Sequence, residues 1–114
     1  MDRIKELTAA MEAELVEIRR DLHRHPELSN EERRTSDLIC ARLESWGIPY
    51  ERGLAGTGVM AVIQGAKPGK TVGIRADMDA LPVEEAGNPP YRSECPGVMH
   101  ACGHDAHTAI LLGA

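Results

Sequence analysis

Residues 59–82, VMAVIQGAKPGKTVGIRADMDALP, carry the pattern that decides the fold class. Val59-Met60-Ala61-Val62-Ile63 and Thr71-Val72-Gly73-Ile74-Arg75-Ala76 are short apolar runs with little polar alternation, the reading of a strand covered on both faces. Between them, Gly65-Ala66-Lys67-Pro68-Gly69-Lys70 is turn chemistry. The two runs are therefore expected to pair as a hairpin. The second ends in Asp77-Met78-Asp79, two carboxylates where a strand stops, and sites in α/β sheets form beyond the strands' carboxyl ends.

Upstream the period changes to that of a helix. Ile4, Leu7, Met11, Leu15, Ile18 and Leu22 step by three and four, so they share one face, while Lys5, Glu6, Glu12, Glu14, Glu17 and Arg19 fill the rest. This predicts a helix over 3–23 that ends before Pro26, because the residue preceding proline avoids helical backbone. Ser29 followed by Glu32 reads as a capping box that starts a second helix near Asn30. That helix should bury Leu38, Ile39, Cys40 and Leu43, carry Trp46 near its end and stop at Gly47. Ile48 to Leu54 reads as extended, and Gly56-Thr57-Gly58 breaks it. Downstream, 83–98 is a loop rich in Pro, Gly, Glu and Asn, long enough to suggest function. From Asp105 the chain reads as an apolar helix still running at Ala114. The expected fold class is α/β, helices packed on a mixed sheet, with 1–114 the N-terminal portion of a larger catalytic domain.

Composition narrows the function. The 114 residues are 42% hydrophobic and 27% charged, which is ordinary globular usage. With no Phe, one Trp and two Tyr, any core must be aliphatic. A formal charge of −5 gives no basic stripe for nucleic acid, so none is expected as a partner. No apolar run approaches a membrane span, and the charged, amphipathic start is no signal peptide. Three cysteines are too few and odd in number for a disulfide framework, so reduced thiols in a cytoplasmic setting are the expectation.

The chemistry concentrates in His100-Ala101-Cys102-Gly103-His104-Asp105-Ala106-His107, which holds three of the five histidines. Thiolate and imidazole are preferred ligands of zinc and its neighbours. In an extended stretch Cys102 and His104 point the same way, and Gly103 permits a tight turn between them. Two donors are not a complete site, since a catalytic zinc needs three. Asp77 and Asp79 could ligate a metal or hold a ligand histidine in its tautomer. Plainer readings stand beside these. The Cys–Gly–His could be a small buried thiol next to a solvated imidazole, and the Asp pair could bond its own backbone. His107 shares a helix face with His104 and reads as structural. His23 and His25 read as surface histidines favoured by a helix C-terminus. Cys95 sits in the long loop, seven residues from Cys102, which is not a zinc-knuckle spacing.

Three stretches together resemble signatures of the M20 metallopeptidase family: Arg20 to Ser29 (RDLHRHPELS), Gly73 to Pro82 (GIRADMDALP) and Met99 to Thr108 (MHACGHDAHT). The branch they most resemble comprises amidohydrolases such as hippurate hydrolase, N-acyl-amino-acid amidohydrolase and auxin-conjugate hydrolases. The resemblance implies a zinc-exopeptidase-like catalytic domain and a two-metal centre in the full-length protein, filled by zinc, manganese, cobalt or nickel. It implies that Cys102 and His104 are metal ligands, the cysteine bridging, and that Asp79 is the catalytic aspartate orienting a ligand. Asp77 stands where sister branches carry a ligand histidine, and His100, Asp105 and His107 become candidates for residues around the ligands. The implied general base is a glutamate beyond residue 114, with further ligand histidines and a dimerisation domain that would make the parent a homo-oligomer. The implied substrate is a small N-acyl amino acid. The alternative is a non-hydrolytic metal-binding or thiol-redox module built on Cys102, whose place near a helix N-terminus could lower its pKa.

Overall fold

The computed structural model describes residues 1–114. Five elements follow in order: α1 (Asp2–Arg24), α2 (Arg33–Ser45), β1 (Tyr50–Leu54), β2 (Gly58–Ala61) and α3 (His104–Gly113). Helices pack against one another and against a two-stranded antiparallel sheet, so the α/β expectation holds. No helix is long and apolar enough to cross a membrane.

α1 forms where the three-and-four spacing requires it. Only its C-terminal half finds a partner: Ile18 and Leu22 are fully buried against Ala109 of α3, with Leu15, Leu38, Trp46 and Leu112 packed around them. Ile4 and Leu7, on the same stripe, stay largely exposed because α3 reaches only the last turns.

α2 starts differently from the capping-box reading. It begins at Arg33, and Ser29 makes no cap. The Glu27 carboxylate does the capping instead, accepting from the Arg34 N–H at 2.9 Å, the Thr35 N–H at 2.6 Å and the Thr35 hydroxyl at 2.7 Å. An acid there satisfies donors that no intrahelical carbonyl can reach and complements the positive end of the helix dipole. Glu32 divides its carboxylate, one oxygen accepting from the Asn30 N–H and the other from the Thr57 hydroxyl in the hairpin. The C-terminus matches expectation. Gly47 is left-handed (φ +69°), with Ile48 N–H on the Leu43 carbonyl and Gly47 N–H on that of Glu44, the Schellman arrangement.

The hairpin is the principal correction. The second strand's partner is not 71–76 but β1: Tyr50 faces Ala61, Glu51 faces Met60 and Arg52 faces Val59, with an irregularity at left-handed Gly53. The tight connection wins because Ala55 and Gly56 adopt positive φ within a few residues, so closure costs little chain entropy. Residues 71–76 form no strand, and Val72 and Ile74 are 81% and 67% exposed. A strand covered on both faces needs material on both faces, and residues 1–114 supply none there. Val62 and Ile63 are exposed for the same reason.

Replacing Glu27 with Ala removes all three acceptor contacts and should lower stability by about 1 kcal/mol, within roughly 0.5–2 kcal/mol. The urea midpoint measures it. Glu27→Gln, which keeps an acceptor oxygen, should lose less; no loss in Glu27→Ala would mean the carboxylate is not the cap.

Candidate functional site

The candidate site lies where α3 begins. Gly103 is left-handed (φ +88°), a conformation that suits glycine, and it turns the chain from an exposed Cys102 into His104, the first residue of α3. Facing it is the 77–81 segment, held by Ala80 N–H on the Glu27 carbonyl and by reciprocal backbone bonds between Leu81 and Met99. Three separate sequence stretches thus meet: the α1–α2 connection, the Asp77–Met78–Asp79 turn and the His–Cys–His segment.

His104 Nδ1 lies 2.8 Å from Asp79 Oδ1 and 3.1 Å from the Asp79 carbonyl. Its Nε2 makes no hydrogen bond, with Asp77 Oδ2 3.9 Å away. The Asp77 carboxylate pairs with Arg75, and its carbonyl accepts from the Thr108 hydroxyl at 3.1 Å. The sequence-selected Asp77, Asp79 and His104 are therefore neighbours, and Cys102 stands two residues before His104 as a free thiol. His107 is exposed, its ring tilted beside that of His104 at 5.7 Å, and it holds nothing. No group of three or more His, Cys, Asp or Glu side chains converges as a finished metal cage. The donor types fit a divalent ion, but these residues supply only part of a coordination sphere.

Behind the turn lies a layer that is dry. Asp105 is fully buried, and its Oδ2 is 2.8 Å from His23 Nδ1 and 2.9 Å from Arg19 Nε, the latter an ion pair without a directed hydrogen bond. His23 Nε2 lies 3.1 Å from both oxygens of Glu85, which also accepts the Ser93 N–H at 2.8 Å. Burial by itself would raise the Glu85 carboxyl. The Ser93 N–H, the His23 ring and Arg92 outweigh it and hold the group below the ordinary carboxylate value. His100 is buried with neither ring nitrogen partnered, and burial, aided by the nearby His23 and His104, pushes its imidazole below the ordinary histidine value despite Asp105 and Asp79.

With that geometry in view, known proteins can be set beside it. Residues 73–114 match the profile of peptidase family M20/M25/M40. Over 114 residues the chain is 48% identical to thermostable carboxypeptidase 2 of Saccharolobus solfataricus, covering 99% of this chain and 29% of that protein. It is 46% identical over 112 residues to the N-acyl-L-amino acid amidohydrolase of Geobacillus stearothermophilus, covering 98% and 30%. The crystal structure of the Bacillus subtilis YXEP protein, described as a dinuclear metal binding peptidase from the M20 family, superposes with a TM-score of 0.86 at 46% identity, covering 91% of this chain and 29% of that one. Residues 73–114 thus carry the M20 profile, and nearly the whole chain is similar to M20 relatives in sequence and fold. The chain spans under a third of the length of these relatives.

One residue stands elsewhere than expected. His23, read as a surface histidine, is 4% exposed and clamped between two carboxylates, whereas His25 remains half-exposed and pairs with Asp21 and Glu94. The signal for His23 was present: Arg19 and His23 are four apart and flank the buried Ile18 and Leu22, so they lie along the stripe that meets α3. Glu85 had no such signal, because nothing in an unpatterned loop marks which acid turns inward.

Glu85 gives a pH-dependent expectation. A carboxyl held lower in the folded than in the unfolded chain stabilises the fold above its ordinary value of 4.5, and that contribution is lost as pH falls through the folded value. Glu85→Gln should therefore cost about 1–3 kcal/mol near pH 7. The gap in urea midpoint between parent and variant should narrow as pH is taken from about 5.5 towards 3. A gap independent of pH would mean that the ionised form is not what matters.

Proposed function

We propose that these residues form part of the active site of a metal-dependent hydrolase that cleaves the amide bond of N-acyl amino acids. Cys102 and His104 are two of its metal ligands, and Asp79 is the aspartate that orients His104. The observation that carries the reading is the His104 ring, which gives one nitrogen to Asp79 and leaves the other without a hydrogen bond, on the turn that exposes a free thiol. A carboxylate on the far nitrogen of a ligand histidine fixes its tautomer and raises its basicity. The substrate class follows the Geobacillus relative's name, and the two-ion centre follows the description of the Bacillus structure.

Each residue here has a task of its own. Asp79 holds the His104 ring in one orientation through both its carboxylate and its carbonyl. Gly103 lets the chain reverse so that thiol and imidazole emerge from adjacent positions. Asp77, tied to Arg75 and facing His104 Nε2 from 3.9 Å, adds negative charge that attracts a cation. When bound, divalent ions (zinc, manganese, cobalt or nickel) supply Lewis acidity, lowering the pKa of water towards about 7 and polarising the scissile carbonyl. Asp79 is engaged by His104 and Asp77 by Arg75, so neither is free to act as the base. Proton transfer is assigned to a glutamate outside residues 1–114.

The direct test is hydrolysis of N-acetyl and N-benzoyl amino acids by the full-length protein before and after chelation. Activity that survives removal of all metal sinks the proposal. In the same protein, Cys102→Ser replaces a thiolate with a hydroxyl that stays protonated near neutral pH, and should remove most of the metal and nearly all activity. Cys102→Asp, which restores a charged donor, should retain more of both. Cys95→Ser should leave metal content unchanged, as read by elemental analysis. Metal loss in Cys95→Ser with retention in Cys102→Ser would mean the wrong cysteine had been chosen. The redox-module alternative is separated by alkylation, since bound metal should protect a ligand thiol and leave a merely reactive one exposed.

A further inference from the structure

The dry layer behind the turn has no evident place in the chemistry, yet it is expensive to build. The Arg19 guanidinium and the His23 imidazole meet two carboxylates, Asp105 and Glu85, where Asp105 is fully buried and His23 and Glu85 nearly so. Removing such charges from water costs several kcal/mol per ion, and well-packed apolar residues often hold a fold as well or better. What a buried ionic cluster can provide that apolar packing cannot is direction, because its hydrogen bonds fix angles as well as distances.

The directions concerned are specific. Asp105 follows His104 directly, so whatever fixes its carboxylate fixes the first turn of α3. The turn before it pivots on left-handed Gly103, the residue type with the most backbone freedom. His23 lies near the end of α1, whose last turns are locked into the core through Ile18 and Leu22. With both ring nitrogens facing carboxylates, His23 can satisfy both only by donating from each. One ring thereby ties a rigid helix, the start of α3 and the 83–98 loop at a single point. The Tyr91 ring seals it from the loop side, edge-on to His23 at 5.5 Å with the Arg19 and Arg20 guanidinium groups 5.2 and 4.7 Å from its centre.

We infer that His23 is a positioning residue for the metal-ligand turn: through Asp105 and Glu85 it holds the start of α3, and so presents Cys102 and His104 in a fixed direction. This rests on the metal-ligand reading given above. Without His23 the turn stays attached but is no longer aimed, and metal binding must itself supply the ordering that the clamp otherwise provides in advance.

The test uses the metal-free full-length protein and three variants: His23→Ala, His23→Gln and, as a control on a half-exposed histidine, His25→Gln. Cobalt(II) is titrated while its thiolate absorption band is followed, the Cys102 alkylation rate is measured with and without cobalt, and far-UV circular dichroism reports the fold. The expected result is cobalt binding about 10–100-fold weaker in both His23 variants, with an altered absorption band and an unchanged fold. Affinity should recover in His23→Ala on addition of free imidazole, and His25→Gln should behave as the parent. Cobalt affinity within about twofold of the parent in both His23 variants overturns the inference. So does loss of the fold in both, which would make the clamp purely architectural. If the unsubstituted protein neither binds cobalt nor protects Cys102, the metal-ligand reading itself fails and takes the inference with it; that outcome is visible in the parent alone.

Discussion

A carboxylate with no access to water has to be answered by the chain around it, and Asp105 is that carboxylate. It sits one residue into α3, where α3 crosses α1, so the closing of the helices on Ile18, Leu22 and Ala109 also brings Arg19 and His23 to it. The apolar and ionic contacts are therefore one interface. When one partner is removed the other remains, so Asp105 without His23 still faces Arg19 but loses its directed hydrogen bond. The 83–98 loop joins this interface through Glu85, and that is why a segment without helix or strand nevertheless runs a fixed course, with Arg92 on the Gly87 and Glu85 carbonyls.

The helices were legible from spacing because amphipathic periodicity is a local signal, and α1 and α2 both end where Pro26 and Gly47 say they should. The grouping of the candidate residues was legible for a different reason. Cys102, Gly103 and His104 are contiguous, so their proximity needs no knowledge of the fold, and Asp79 could be suspected from its place after an apolar run. The partnership between Asp79 and His104 spans 25 residues of sequence and emerges only when Leu81 and Met99 pair.

What sequence reading missed has a common cause. Glu27 replaced Ser29 as the helix cap, β1 replaced 71–76 as the partner of β2, and His23 went inward instead of outward. In each case two local solutions were chemically adequate and tertiary geometry chose between them. Ser29 and Glu27 can both accept from a helix start, but Glu32, the other half of the box, bonds the Asn30 N–H and the Thr57 hydroxyl, and the helix begins one turn later. Histidine at a helix end can face water or a carboxylate, and only the arrival of α3 with Asp105 decides.

The bare apolar side chains of Val62, Ile63, Val72 and Ile74 have a consequence for how such a chain is made. Synthesis delivers the N-terminus first, at about 5–20 residues per second. α1, α2 and the β1–β2 hairpin draw on neighbouring sequence, whereas residues 62–75 form no helix or strand and turn their Val and Ile side chains to solvent. Such a stretch is a template for pairing with any other unfinished chain. Lys67, Pro68 and Lys70 stand in the middle of it as charge and proline that resist edge pairing.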